Sequence, residues 1–457
     1  MKKNNLQIIV FGATGALAEM KLFPAFGELF LQGQLPENFQ IIGFGRTKLE
    51  EQVFRKNFLQ AVKDIYPAKA AKIAELAGHV FYFQGQYDEI ESFHSLAAFC
   101  RQLSGSHKSD QIAYFSVPPL VFGDLALNLS KTLKKSAATF KIIVEKPFGI
   151  SGKSASALIK ILSAGYKQQN VFLLDHYLGK RPIQSILKLR LENKVINLLI
   201  KGSEIAKITL EASEKDKVGR RIGYYDQVGA VKDMIQSHLL QLLALITMDI
   251  PVSFTLPSLQ REKQNILSAV RFSGDKADLR LGQYRGYASS EGVSLATSTE
   301  TFAAVKLGLD RRDWYDVPVY LQTGKKLAAS LTRAIIEFKK MPFQEDCVKP
   351  NCLVFEMKPG ESVSLRLVQR ATLKNPDAKP QYEDIELSQG LGCRVDFCLN
   401  DYAALINDVI RGDHTYFLSF AEILAAWKVV DAITATRART KMKPQIYGKE
   451  SEVPKMF

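Results

Sequence analysis

LQIIVFGATGALA, residues 6–18, opens as an unbroken apolar run and closes in a glycine turn. A strand without polar alternation is buried on both faces, the habit of a parallel sheet. The turn Gly12-Ala13-Thr14-Gly15-Ala16-Leu17-Ala18 follows G-x-x-G-x-x-A and leads into a helical pattern over 16–33. Glycine lets backbone approach a pyrophosphate, and the helix start supplies N–H donors and a positive dipole end. Gly12, Thr14, Gly15 and Leu17 are therefore candidate dinucleotide contacts.

The same rhythm repeats downstream. Apolar runs at 39–45, 80–85, 111–118, 140–147 and 170–176 alternate with helical periods at 49–64, 90–103, 120–134 and 152–164. This alternation predicts a doubly wound, Rossmann-like parallel sheet covered on both faces. After about residue 178 the pattern changes. A helix at 180–193 precedes period-two stretches at 204–212, 279–284, 334–339, 352–358 and 362–368, which predict a large, mainly antiparallel sheet. Helices at 228–247 and 402–411, and the region 421–427, are expected to pack on it. The fold class is thus α/β followed by α+β, with a dinucleotide-binding domain over 1–177 and a substrate-binding and oligomerisation domain over 178–457.

The second strand selects the dinucleotide. NAD readers end it with a carboxylate for the ribose 2′-hydroxyl, whereas this chain has Gly45-Arg46-Thr47-Lys48. A guanidinium suits a 2′-phosphate through two parallel charge-assisted hydrogen bonds, so Arg46 points to NADP.

Composition narrows the rest. With 457 residues, 46% hydrophobic and 24% charged, the chain can bury large cores. The start resembles a secretory signal, but its apolar run is short and continues into an amphipathic helix, so that reading is rejected. No apolar window reaches membrane-span length. Five cysteines, sparse and odd in number, fit a reducing, cytoplasmic compartment. Cys347/Cys352 and Cys393/Cys398 share a C-x4-C spacing without histidines, which argues against zinc, and no metal is expected. The net charge of +14 is scattered, with no nucleic-acid signature, and fits a site for phosphorylated ligands.

Two strand ends carry chemistry. VEKPFG (144–149) puts Lys146 at the carboxyl edge of the fifth strand, where open α/β sheets bind ligands, with Pro147 able to hold a cis turn. DHYLGK (175–180) ends the sixth strand on Asp175, His176, Tyr177 and Lys180. VKDMIQSHLLQLL (231–243) adds Asp233 and His238 on an otherwise apolar helix; five residues apart, they do not share one tight α-helical face.

Together these segments resemble the glucose-6-phosphate dehydrogenase family. GATGALAEMKLFPA, GFGRTKL, YFSVPP, EKPFG, DHYLGK, GYYDQVGAVKDMIQSHLLQ, STETFAAVKL, DVPVYLQTGKKL and the AAW ending at Trp427 follow the family's order from about residue 7 to about 450. The resemblance implies oxidation of glucose 6-phosphate at C1 with hydride transfer to NADP. It implies His238 as the base, Asp175 as the carboxylate orienting it, and Lys146 beside the sugar and the nicotinamide. It further implies His176, Tyr177 and Lys180 as phosphate ligands, Glu214 and Asp233 as acceptors for sugar hydroxyls, Lys325 on the substrate, and a homodimer or homotetramer. Arg221 and Tyr224 match a stretch taken as structural.

Several positions depart from the family pattern. Ala16 replaces an aspartate and Ser237 an asparagine; Arg181 follows Lys180 where the family has glutamate; Lys217 and Ile222 stand where glycines are usual; Ser330 replaces a second cation after Lys325; Lys358 stands where a glutamine is usual; and the C-terminal glycine-rich stretch is reduced to YGKESEVP. These leave open a dehydrogenase of another phosphosugar, or a non-catalytic phosphosugar- or NADP-binding regulator, on the same fold.

Overall fold

The computed structural model of the chain describes residues 5–105, 108–219, 222–294, 296–342, 348–369, 380–389, 399–448 and 452–455. The chain divides into two compact units. One comprises the described residues of 1–149, 153–179 and 399–420, the other those of 150–152, 180–389 and 421–455.

The first unit is built on β1 (Leu6–Phe11), β2 (Phe39–Gly45), β3 (Val80–Gln84), β4 (Asp110–Phe115), β5 (Thr139–Glu145) and β6 (Val171–Leu174), in the order β3-β2-β1-β4-β5-β6. Every pairing is parallel. This is the strand order of the dinucleotide-binding doubly wound sheet, with its switch point beside β1. All six residues of β1 are buried, as its apolar run requires. Leu6, Ile8 and Val10 meet Phe23, Phe26, Phe54 and Phe58 on one face. On the other, Phe11 and Phe44 pack against Phe93. Gln7, buried among them, donates to Cys100 O at 2.8 Å and accepts from Ser109 Oγ and Gln111 Nε2, so both ends of its amide are satisfied.

The helix Asp401–Arg411 also belongs to this unit, not to the second sheet as its position in sequence led us to expect. Ala403, Leu405, Ile406 and Val409 join the core of β1 and the helix Phe23–Leu31. Three polar ties fix it. Glu28 accepts from the Asn400 backbone N–H at 3.1 Å, Lys141 Nζ donates to Val409 O at 2.7 Å, and Leu418 N–H donates to Leu173 O at 3.0 Å. Sequence separation hid this packing, because an amphipathic helix does not record which apolar face it meets.

In the second unit the strands are β7 (Ile205–Ser213), β8 (Val270–Arg271), β9 (Leu279–Tyr284), β10 (Phe302–Leu309), β11 (Val319–Gly324), β12 (Leu331–Phe338), β13 (Cys352–Lys358), β14 (Ser362–Gln369), β15 (Gln381–Gln389) and β16 (Gln445–Tyr447). Among the described residues nine of them run β15-β14-β13-β12-β7-β11-β10-β9-β16, and β8 pairs with β10. The sheet is mainly antiparallel, with β7–β11 and β9–β16 parallel. Cys352 lies buried on β13; Cys347, Cys393 and Cys398 lie outside the described residues.

The helical run Val231–Leu239 and Leu240–Thr247 packs on β7 and β11. Every residue of Leu240–Thr247 is buried. Each fully buried leucine there contributes about 1.5–3 kcal/mol. The C-terminal end cannot reach water, so Arg190 supplies its partner, donating to Leu245 O and Met248 O at 2.8 Å each. A cation at that end also complements the helix dipole. No helix among the described residues is long and apolar enough to cross a membrane.

Two outcomes follow for the first unit. Asn400 caps the helix Asp401–Arg411 by accepting from Ala403 N–H at 3.0 Å. Asn400→Ala is expected to cost about 1–2 kcal/mol in urea unfolding. Glu145, at the end of β5, accepts from the Tyr114 hydroxyl, and burial pushes its carboxyl up to about 7. The folded state then holds a proton that the unfolded chain releases near pH 4.5, so this site's contribution to stability falls as pH rises from about 4.5 to 7. Glu145→Gln keeps the acceptor and is expected to be the more stable protein at pH 8 by on the order of 1–3 kcal/mol, the gap closing toward pH 4.5.

Candidate active site

The glycine turn forms as its sequence dictates. Gly12 has φ +84°, and a Cβ there would sit 2.2 Å from Ser116 O, so only glycine fits. Its N–H donates to Phe44 O at 2.9 Å, and Gly15 N–H donates back to Gly12 O at 3.0 Å, closing the turn. Around Gly15 a Cβ would meet nothing within 4 Å but that oxygen at 3.1 Å, leaving backbone open to a phosphate. Thr14 and Ala16 are exposed, Leu17 is half-buried, and the backbone then enters the helical segments Ala18–Leu22 and Phe23–Leu31.

β3 holds the loop after β2. Tyr82 donates to Thr47 O at 2.6 Å and Gln84 to Arg46 O at 3.4 Å. The backbone is thus fixed while the Arg46 side chain stays exposed, its guanidinium 5.6 Å from the Tyr87 ring. Tyr87 also contacts the Gly12 backbone, and burial raises its phenol pKa. Arg46 therefore stands over the ring that abuts the glycine turn, and β2 ends on no carboxylate. A dinucleotide fits this cradle: open backbone for pyrophosphate, and a cation where the second strand reads the ribose.

At the carboxyl ends of β5 and β6 the same unit places Lys146, Asp175, His176 and Tyr177. The Lys146–Pro147 bond is cis, as the sequence allowed. Asp175 is fully buried and folds back on its own chain, accepting from Tyr177 N–H at 3.0 Å, while Leu178 N–H donates to Asp175 O at 2.9 Å. This tight turn leaves His176 exposed and Tyr177 buried. Tyr402 stacks on His176, ring centroids 6.4 Å apart and planes 8° apart. Sequence reasoning missed Tyr402, because one aromatic in the first turn of an amphipathic helix reads as core.

The second unit holds the remaining candidates. Lys180 opens the helix Arg181–Glu192, its carbonyl accepting from Ile183 and Gln184 N–H. Lys325, buried, pairs with Glu214 at 2.5 Å, and its Nζ lies 5.9 Å from the Tyr225 ring. Two backbone bonds, Glu214 N–H to Gly324 O and Leu327 N–H to Glu214 O, lock these two loops together.

Asp233 and His238 are both buried. On an α-helix, residues five apart are separated by about 140° of rotation. Val231–Leu239 is instead π-helical. Its i→i+5 hydrogen bonds widen the turn, so residues five apart lie closer in rotation than on an α-helix. No spacing rule would have found this, because the register is set by the surroundings. Such wide turns recur at functional sites.

The departures have local explanations. Ser330 Oγ accepts from Lys215 N–H at 3.1 Å, so it braces the Glu214 loop instead of offering charge. Lys326 Nζ donates to Arg285 O at 3.3 Å and lies 5.6 Å from the Tyr284 ring. Ser237 Oγ is buried without a hydrogen-bond partner among the described residues. Lys358 is exposed at the end of β13. Tyr224 is half-buried beside Tyr225, and Arg221 lies outside the described residues.

Comparison with known proteins agrees with this arrangement. Residues 9–185 match the family described as glucose-6-phosphate dehydrogenase, NAD binding domain, and residues 187–457 match glucose-6-phosphate dehydrogenase, C-terminal domain. The chain is 31% identical to the glucose-6-phosphate 1-dehydrogenase of Bacillus subtilis, over 98% of this chain and 95% of that protein. Its structure is similar to that of a glucose-6-phosphate dehydrogenase in complex with its substrate glucose 6-phosphate, with a TM-score of 0.89 and 28% identity over 98% and 94% of the two chains. It is also similar to the Mycobacterium avium glucose-6-phosphate 1-dehydrogenase structure, with a TM-score of 0.84 and 26% identity over 99% and 96%. A cofactor turn, a Lys-cis-Pro strand end and a helix that buries Asp233 and His238, joined to family matches that together span nearly the whole chain, place it in the glucose-6-phosphate dehydrogenase family.

Proposed function

We propose that this chain oxidises the C1 hydroxyl of β-D-glucose 6-phosphate to 6-phosphoglucono-1,5-lactone, with NADP as hydride acceptor. The observation that carries this reading is the π-wound helix that buries both Asp233 and His238, in a chain with the family's strand ends. NADP, held by the glycine turn and Arg46, would supply the acceptor for the C1 hydride and its electron pair. As that hydride leaves, the O1 proton must go to a base, and an imidazole is a side chain suited to that proton transfer. His238 receives it, and Asp175 orients the ring and stabilises its charged form.

His176, Tyr177 and Lys180 hold the phosphate, with Tyr402 flanking His176. Charge-assisted bonds of about 1.5–3 kcal/mol each anchor the substrate, and that binding energy positions C1. Glu214 and Asp233 accept from sugar hydroxyls, Lys325 holds Glu214 in place, and Lys146 lies beside the sugar and nicotinamide. Gly12, Thr14, Gly15 and Leu17 cradle the pyrophosphate, and Arg46 reads the 2′-phosphate. Support for NADP over NAD is the exposed Arg46 on a fixed loop without a carboxylate.

In domain terms, residues 1–177 bind the dinucleotide and 178–457 bind substrate and oligomerise. A homodimer or homotetramer in a reducing cytoplasm is the expected form. Tyr382, Ile385 and Leu387, exposed on the edge strand β15, support association through the large sheet. A second reading, the same reaction on another phosphosugar, draws on Ser330 standing where the family carries a cation.

The deciding experiment is turnover, read at the reduced-nicotinamide absorbance band, with glucose 6-phosphate and NADP or NAD in parallel. Folded protein inactive with both cofactors refutes the proposal; activity only with a different phosphosugar selects the second reading. His238→Asn is expected to lower kcat by about 10²–10⁴-fold while phosphosugar binding persists. Arg46→Ala is expected to raise KM for NADP about 10–100-fold, from lost charge-assisted bonds, and KM for NAD less than about 3-fold. Equal losses for both cofactors would refute the 2′-phosphate assignment.

A further inference from the structure

The helix that carries Asp233 and His238 starts where no side chain of its own caps it. Its first N–H groups are buried, and buried donors need partners. Both partners come from one residue of a distant segment, Glu300, just before β10. Its backbone carbonyl accepts from Ala230 N–H at 3.0 Å, and its carboxylate Oε1 accepts from Val231 N–H at 3.2 Å.

The surroundings are built around this carboxylate. Glu300 is 3% exposed. Its Oε2 pairs with Arg437 Nη1, and Arg437 Nη2 donates to Ser298 O, so the acid is neutralised and held from behind. Gly229 has φ +66°, and a Cβ there would lie 2.3 Å from Oε1. The glycine thus makes room for the carboxylate and supplies the backbone turn into the helix. Negative charge at a helix N-terminus is stabilising, and this one is fixed in place.

We propose that Glu300 is a positioning residue for the reaction: by binding the N–H groups of Ala230 and Val231, where the π-wound segment begins, it sets the height and rotation at which Asp233 and His238 are held. Val231 is the first residue of that segment, and Asp233 is two residues on. A shift at Val231 is carried along a buried helix that cannot bend away, and His238 moves with it.

This inference rests on His238 being the base, so the test measures both. Steady-state kinetics compare the full-length chain with Glu300→Ala, Glu300→Gln, Arg437→Met and His238→Asn, each checked for native circular dichroism. Glu300→Ala is expected to lower kcat about 10–100-fold, the scale of small misplacements, with KM for the dinucleotide within about 2-fold. Glu300→Gln keeps an oxygen for Val231 N–H and is expected within about 5-fold of wild-type kcat. Glu300→Ala at wild-type kcat, or Glu300→Gln as impaired as Glu300→Ala, overturns the proposal. Should Glu300→Ala fail to fold, Arg437→Met carries the test. It leaves the carboxylate without its restraint and is expected to lower kcat at least about 5-fold at unchanged dinucleotide KM; wild-type kcat overturns the proposal. An inactive His238→Asn beside a fully active Glu300→Ala removes the anchor and keeps the base. An active His238→Asn removes the base, and the positioning argument with it.

Discussion

A helix buried along its whole length must find hydrogen-bond partners for both ends inside the protein. Val231–Thr247 comes close to this, with only Lys232 and Met234 half-buried, and both of its ends find partners within the second unit. Glu300, from the strand side, takes the first N–H groups. Arg190, from a neighbouring helix, takes the last carbonyls. Acid at the N-terminus and guanidinium at the C-terminus both follow the dipole. Burial of Arg190 lowers its pKa to about 10, which leaves it charged at neutral pH. With its ends fixed, the helix can hold a carboxyl group and an imidazole in a largely apolar interior.

The first unit meets a different constraint. Its sheet is covered on both faces, so ligands reach it at the carboxyl ends of the strands. Those ends are where the chain places Gly12, Arg46, Lys146 and Asp175. The close approach of Gly12 to Ser116 O ties the glycine turn to the end of β4. Loop conformation there is fixed by strand neighbours, not by the loops' own propensities, as the Tyr82–Thr47 and Gln84–Arg46 bonds show.

Much of this was legible in the sequence. The strands of the first sheet announce themselves as short apolar runs, and the glycine turn sits where the fold needs it. Asp175, His176 and Lys146 stood out as polar residues closing apolar strands. What stayed hidden was non-local. The π winding of Val231–Leu239 carries no local sequence mark, so the rotation between Asp233 and His238 could not be read from a spacing of five. The strand Phe302–Leu309 carries no clean alternation, because both of its faces are largely buried. Nothing local marks Glu300 in the sequence, and its contact with Val231 appears only in the fold. The helix Asp401–Arg411 showed its apolar stripe but not which core would receive it.

That last placement has a consequence for biosynthesis. Residues 399–420 complete the core formed by β1 and the helix Phe23–Leu31, and Phe172 on β6 stacks on His414 with ring centroids 3.7 Å apart. Domains usually fold as units during synthesis, N-terminal first. Here the earliest unit to leave the ribosome cannot close until a stretch near the other end has emerged. In the interval the nascent sheet leaves one flank of its apolar surface uncovered, and the second unit is synthesised while the first still waits for its last helix.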